Sequence, residues 1–174
     1  MKTRMLILFG FLLVIGEVTR ADTVWDSGHH EITAGDVFGE IYMYNDATAD
    51  MFAGEVGKLE THDLTHFNFL GGDLTDLRIH GNGTADFSNG ELNRLGIDGN
   101  GLLNLYAYDV TIYTTGGYYD RGWIEGKYFS DDSYFSFDFV LTNTHEHINI
   151  VPEPASLMLF CLGGLLLRKR RCCI

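Results

Sequence analysis

From about residue 36 the chain alternates apolar and polar positions, and the alternation recurs every 18 residues. Four units, 36–53, 54–71, 72–89 and 90–107, align without a gap. One apolar column holds Phe38, Val56, Leu74 and Leu92, with Val110 one step on. A second holds Ile41, Leu59, Leu77 and Leu95, and a third Met43, Thr61, Ile79 and Ile97. The fourth holds Ala49, Phe67, Ala85 and Leu103; the fifth holds Met51, Phe69, Phe87 and Leu105. Apolar residues two apart, such as 59 and 61 or 67 and 69, share one face of a strand. Gly54, Gly72 and Gly90 mark one corner of each unit. Asp63, Gly81-Asn82-Gly83 and Gly99-Asn100-Gly101 mark another. Gly and Asn take positive φ at such corners with little steric cost. One unit cannot bury its own apolar side, but the next unit stacked on it can. The pattern therefore predicts an all-β fold, a small parallel β-solenoid with about 18 residues per coil. A left-handed coil of three hexapeptides would need an aliphatic at every sixth position. Six on from Val56 is His62 and six on from Leu59 is Thr65, which favours a right-handed or irregular coil. An antiparallel sandwich would also use short strands and Gly-rich turns, but it gives no reason for a gapless register.

The register fades from about Gly116. Trp123 to Phe129 and Tyr134 to Leu141 read as strands around Ser130-Asp131-Asp132-Ser133, with Phe135, Phe137 and Phe139 alternating with Ser136 and Asp138. His145 to Ile150 reads as a last strand. Residues 116–150 are expected to form a C-terminal β cap that shields an edge of the solenoid. Residues 22–35 are expected to cap the other end, within a solenoid region of 22–115.

The two ends carry different signals. Met1-Lys2-Thr3-Arg4 precedes an apolar run from Met5 to Gly16, and small residues follow at Thr19 and Ala21. A basic start, a short apolar core and small residues before a cut define a secretory signal peptide, here 1–21. At the other end, Pro152-Glu153-Pro154 is followed by an apolar run from Leu157 to Leu167 and then Arg168-Lys169-Arg170-Arg171. The prolines hold the backbone extended and keep it out of a helix. The basic cluster would stay on the cytoplasmic side, so the segment 151–174 reads as a transient single-span anchor after export.

These residues together resemble the PEP-CTERM sorting domain of exported bacterial proteins. The resemblance covers 151–171, with Pro152, Glu153 and Pro154 as recognition residues and Arg168, Lys169, Arg170 and Arg171 as the basic stop. It implies an exosortase as partner at the membrane, cutting near the motif. It also implies a destination at the cell surface or in an extracellular matrix. Cys172-Cys173-Ile174 extends beyond the usual end of that pattern; the two thiols read as a reduced tail without a role, with cytosolic lipidation as the alternative. The region between the two ends is similar to other exported proteins that begin with Asp-Ser-Gly, here Asp26-Ser27-Gly28, and close with His-Ile-Asn, here His147-Ile148-Asn149. No activity comes with that similarity.

Composition narrows the function. Both prolines and all three cysteines (Cys161, Cys172, Cys173) lie in the C-terminal segment, so residues 22–151 hold neither a disulfide nor a Cys-ligated zinc. The whole chain carries a net charge of −12. Residues 22–151 contain 5 Lys plus Arg against 22 Asp plus Glu, a net charge of −17. That excludes nucleic acid as the main partner, because phosphate binding needs basic surface.

The acids fall in columns. Glu55, Asp73, Glu91 and Asp109 make one; Asp50, Asn68, Asp86 and Asn104 make another. Stacked acids a strand spacing apart repel and invite a cation, for which Ca²⁺ is the oxygen-loving choice. A solvated acidic face with amide ladders accounts for the same columns. Asp98-Gly99-Asn100-Gly101 resembles a calcium loop only faintly, since no Glu follows at the ligating position. His62 and His80 share a column with Tyr44 and Asp98, a set that could hold a transition metal or be simple surface histidines. His145 and His147 form another pair, while His29 and His30 are adjacent and point to opposite faces of a strand.

Arg78 and Arg94 read as one column with Glu60, beside Lys58 and Asp76, a mixed and sparse stripe rather than the basic groove of a lyase. No Gly-x-Ser-x-Gly, phosphate loop or zinc motif occurs. The chain is thus expected not to be an enzyme, to bind no obligatory cofactor, and to serve a structural or adhesive role. A carbohydrate-binding module using Tyr106, Tyr108, Tyr113, Tyr118, Tyr119 and Trp123 is the alternative, and a polysaccharide-active enzyme on a β-helix the second alternative. Extracellular polysaccharide is the partner those alternatives share.

Overall fold

A computed structural model describes residues 22–115, 121–141 and 143–152. The predicted signal peptide and all of the C-terminal segment after Pro152 lie outside the described residues. The fold is an all-β parallel solenoid of about five turns. Each turn has one strand on each of two walls. One wall stacks β1 (Thr23–Trp25), β3 (Val37–Met43), β5 (Glu55–Thr61), β7 (Asp73–Ile79) and β9 (Glu91–Ile97). The other stacks β2 (His29–Ile32), β4 (Thr48–Met51), β6 (His66–Phe69), β8 (Thr84–Phe87) and the first half of β10 (Leu102–Thr114). Partners lie 18 residues apart through the regular coils: Ile41 faces Leu59, Leu59 faces Leu77, and Leu77 faces Leu95.

The columns read from the sequence are the core. Ile41, Leu59, Leu77 and Leu95 line one wall, and Met51, Phe69, Phe87 and Leu105 the other, all fully buried. Where Phe67 fills the space in one coil, Ala49 and Ala85 stand in the coils on either side, so bulk and gap interlock. Phe69 and Phe87 stack at 4.7 Å.

Residues 22–35, expected as a cap, contribute a first coil in register. Thr23 pairs with Ile41 and Trp25 with Met43, while His29 pairs with Thr48, one residue further on. The corner Asp26-Ser27-Gly28 is one residue shorter than Tyr44-Asn45-Asp46-Ala47, which accounts for the shift.

The cap departs from the sequence arithmetic. The neighbour of β9 is β12 (Tyr134–Phe139), parallel to it, with Asp138 on Arg94 and Phe139 on Leu95. β11 (Gly122–Tyr128) follows antiparallel, then the second half of β10. Val110 and Asp109 therefore do not stack on Leu92 and Glu91. Instead the register of β10 on β11 shifts between Tyr108 and Thr111, and Asp109 has φ 51°. The cause is one corner. Gly54, Gly72 and Gly90 turn the coil with φ of 93°, 99° and 112°, and the next position in that column is Tyr108. A tyrosine resists that conformation, so β10 runs straight on.

Phe135, Phe137, Phe139, Ile124 and Tyr128 close the core beneath Phe87. The expected strand from His145 begins later. A 3₁₀ turn (Thr144–His147) comes first, fastened where Ile97 N–H donates to the buried Thr144 Oγ1 at 3.1 Å. β13 (Ile148–Val151) then pairs parallel with the first half of β10, adding a last strand to the shorter wall.

Candidate functional site

The outer face of the shorter wall carries the second predicted acidic column. Its acids alternate with amides and are paired by them. Asn68 Nδ2 donates to Asp50 Oδ1 at 2.6 Å, Asn104 Nδ2 to Asp86 Oδ1 at 2.7 Å, and Asn149 Nδ2 to Asn104 Oδ1 at 3.0 Å. Histidines alternate with threonines in the neighbouring column. His29 Nδ1 is hydrogen-bonded to Thr48 Oγ1 at 3.0 Å and His66 Nδ1 to Thr84 Oγ1 at 2.8 Å. His66 Nε2 is also 2.9 Å from Asn68 Oδ1. This face consumes its own polar groups, which is the amide-ladder reading of the column. In the other acidic column Glu55, Asp73 and Glu91 stack in register as exposed residues, without Asp109.

On the longer wall the charged residues form compact pairs. The register separates the two arginines that the sequence reading put together. Arg78 faces Glu60, whereas Arg94 follows Lys58 and Asp76. Asp76, only 4% exposed, accepts from Arg78 Nε at 3.0 Å and Nη2 at 3.1 Å, and Arg94 Nη2 lies 3.4 Å from it. The hydrogen bond to Asp76 raises the pKa of the Arg78 guanidinium further. Lys58 Nζ lies 2.6 Å from Glu60 Oε1 and 3.7 Å from Glu40 Oε2, and Tyr42 donates to Glu40.

The corner after this wall holds the histidine column at the spacing predicted. Tyr44 and His62 stack at 4.7 Å, and His62 and His80 at 4.9 Å with 16° between planes. His80 Nδ1 is 2.9 Å from Asp98 Oδ2. The structure adds Glu60, which the sequence reading left out of this group. One ligand atom from each of Glu60, His62 and His80 lies within 4.8 Å of the others. The signal was available, since residues 60 and 62 are two apart at a strand end and so share a face. Burial pushes the Glu60 carboxyl up. The hydrogen bond and charge of Lys58, with the charges of His80 and His62, outweigh it and hold Glu60 below the usual carboxylate range.

The remaining histidines are engaged elsewhere. His30 Nε2 is 3.1 Å from Ser27 O and its ring stacks on Trp25 at 4.3 Å, so it faces away from His29 as expected. His147 Nδ1 donates to Gly101 O at 2.9 Å.

The aromatics of the cap divide. Tyr108 packs on Phe129 at 5.3 Å and donates to Asp132. Trp123 and Tyr113 stack at 4.4 Å and remain exposed. Glu125 accepts from Tyr113 at 3.0 Å and from Tyr134 at 2.7 Å. Trp123 borders a cleft of about 450 Å³, whose other polar walls are Arg94, Thr115, Arg121 and Asp138. Tyr118 and Tyr119 lie outside the described residues.

Of the predicted sorting residues, Pro152 is described and directly follows the last residue of β13. Glu153, Pro154, Arg168, Lys169, Arg170 and Arg171 lie outside the described residues, as do Cys172 and Cys173. No helix among the described residues is long and apolar enough to cross a membrane.

Comparison with protein families matches residues 151–171 to the PEP-CTERM protein-sorting motif. The molecule is thus a β-solenoid with a sorting motif appended to its final strand. The motif implies an exported protein processed by an exosortase. No curated protein and no solved structure matches the chain.

Proposed function

We propose that the solenoid is a structural or adhesive protein of the cell surface or extracellular matrix, delivered there by exosortase processing at 151–171. The observation that carries this reading is the junction. β13 ends at Val151 and the motif begins on that same residue, so every described strand lies upstream of Pro152. A cut within the motif beyond Pro152 would leave the solenoid whole. Its acidity suits a polymer-rich, hydrated setting and opposes association with nucleic acid.

The role is read as non-enzymatic. The best-placed carboxylates are already held, Asp76 by two arginines, Glu60 by Lys58, and Glu125 by two tyrosines. Fractionation of the native host tests the delivery. Wild-type chain is expected in the surface or matrix fraction in a shortened form. A Pro152→Ala, Glu153→Ala, Pro154→Ala triple variant is expected to remain full length in the membrane. Equal release of both chains would refute delivery through the motif. Loss of cell adhesion or matrix cohesion on deleting the chain tests the role itself.

A second reading is favoured by the Trp123 cleft. A solvent-exposed indole beside two of the five cations of residues 22–151 fits stacking on a sugar ring that bears an acidic group. Retention on insoluble anionic polysaccharide, lost in Trp123→Ala, would support it. Equal retention of both chains would reject it.

A further inference from the structure

The corner ladder holds a group that neither sorting nor adhesion uses. Glu60 is the penultimate residue of β5, His62 begins the corner that follows, and His80 occupies the same corner position one coil on. Glu60 and His80 each have one end already engaged. Glu60 Oε1 is 2.6 Å from Lys58 Nζ, while its Oε2 is 3.5 Å from His62 Nε2. That His62 nitrogen is shielded from solvent and has no hydrogen-bond partner. A buried ring nitrogen left unsatisfied is costly unless something else occupies it. His80 gives Nδ1 to Asp98, an arrangement that fixes the tautomer of a ring and leaves Nε2 to ligate. The ring stack of Tyr44, His62 and His80 limits how far the imidazoles can turn away.

We propose that Glu60, His62 and His80 form a binding site for a first-row divalent transition ion of the Zn²⁺ type, with Asp98 positioning His80. Two imidazoles and one carboxylate are the ligand set of such ions rather than of Ca²⁺, which takes oxygen alone. Zinc bonds of about 2.0–2.2 Å would bring tetrahedral ligand atoms to roughly 3.5 Å apart. In the structure the ligand atoms lie within 4.8 Å of one another, so binding would draw them closer together. Three protein ligands leave a fourth position for water or for a group from outside. The ion would tie two successive coils together at their corner, since Glu60 and His62 belong to one and His80 to the next.

The test is calorimetric titration of the full chain in detergent with ZnCl₂, after alkylating the three thiols so that they take no metal. The wild-type chain is expected to bind one Zn²⁺ through this site. His62→Phe keeps an aromatic ring in the stack and removes the ligand. It is expected to weaken that event at least ~100-fold, and Glu60→Gln to weaken it by a comparable factor. Asp98→Asn should cost about 10–100-fold. Circular dichroism of each variant confirms the fold. Should His62→Phe fail to fold, Glu60→Gln decides alone. An unchanged stoichiometry and affinity in a folded His62→Phe or Glu60→Gln chain overturns the proposal, as does the absence of Zn²⁺ binding to the wild-type chain.

Discussion

The coils and the cap use the same walls and obey different rules. In the coils a residue's neighbour is found by adding 18, so a side chain's environment is set by its own column. In the cap β12 reaches β9 from 44 residues further along the chain, and the neighbour of Arg94 is Asp138. The switch falls at Ala107-Tyr108, a corner with no glycine, whereas the first corner, with Asp36 in that column, still turns through Gly35 at φ 94°. The strands that follow supply apolar faces of their own. Phe135, Phe137 and Phe139 do so at a spacing of two, just as the coils do.

The largest effect should come from breaking the joint between the two regions. Phe87 is fully buried, stacks on Phe69 at 4.7 Å, and meets Tyr128 and Phe137 of the cap at 5.3 and 5.8 Å. Phe87→Ala is expected to cost about 3–5 kcal/mol. Urea unfolding of the full chain measures it, with Trp25 reporting on the first coil and Trp123 on the cap. A shared midpoint in wild type is expected, because one core runs through both regions. Separate midpoints at the two tryptophans would show that coil and cap fold independently.

A smaller effect separates the two corners of a coil. A Cβ on Gly72 would stand 2.7 Å from Met51 Cε and 2.8 Å from the Ala53 carbonyl carbon, at φ +99°. Gly72→Ala is expected to cost roughly 2–3 kcal/mol through strain and clash. At the opposite corner Gly81 has φ +64° and its nearest obstruction at 3.5 Å, and Asn45 and Asp63 occupy the same position with φ of 55° and 57°. Gly81→Asn is expected to stay within about 0.5 kcal/mol of wild type. Thermal unfolding of the two variants compares them, and equal losses would remove the distinction between the corners.

That distinction also explains what could be read without coordinates. The solenoid was legible because its information is repeated. Five columns over four units fix the register even where single residues, such as Thr61, break the apolar pattern. The histidine column was legible for the same reason. Glu60 was missed beside it because it belongs to a neighbouring column, and only the strand-end geometry brings its carboxylate beside His62. The extension of the acidic column to Asp109 failed because arithmetic carried the register past the corner that Tyr108 cannot make. Beyond that point each contact, including the 3₁₀ turn held by Thr144, occurs once and leaves no pattern to read.

The smallest effect tests how the cap is pinned to the coil corner. Tyr128 is 1% exposed, and its hydroxyl donates to Gly90 O at 3.1 Å, a bond from β11 to the last glycine corner. Tyr128→Phe removes that bond and leaves the ring, for an expected cost of about 0.5–1.5 kcal/mol. The pH dependence makes the effect specific. Burial, then the charges of Asp131 and Glu91, push the phenol well above its ordinary value. The unfolded chain begins to lose this proton near pH ~10 while the folded chain keeps it. The contribution of Tyr128 is thus fully present below that pH and declines as pH rises above it. Lys58, raised by its hydrogen bond to Glu60, also loses its contribution at alkaline pH, but it does so in both proteins. Urea midpoints from pH 7 to 11 should therefore run parallel below about pH 9 and converge above it, as the wild-type curve falls more steeply. Curves that stay parallel throughout would mean that the hydroxyl is hydrated in solution and that this bond does not pin the cap to the coil corner.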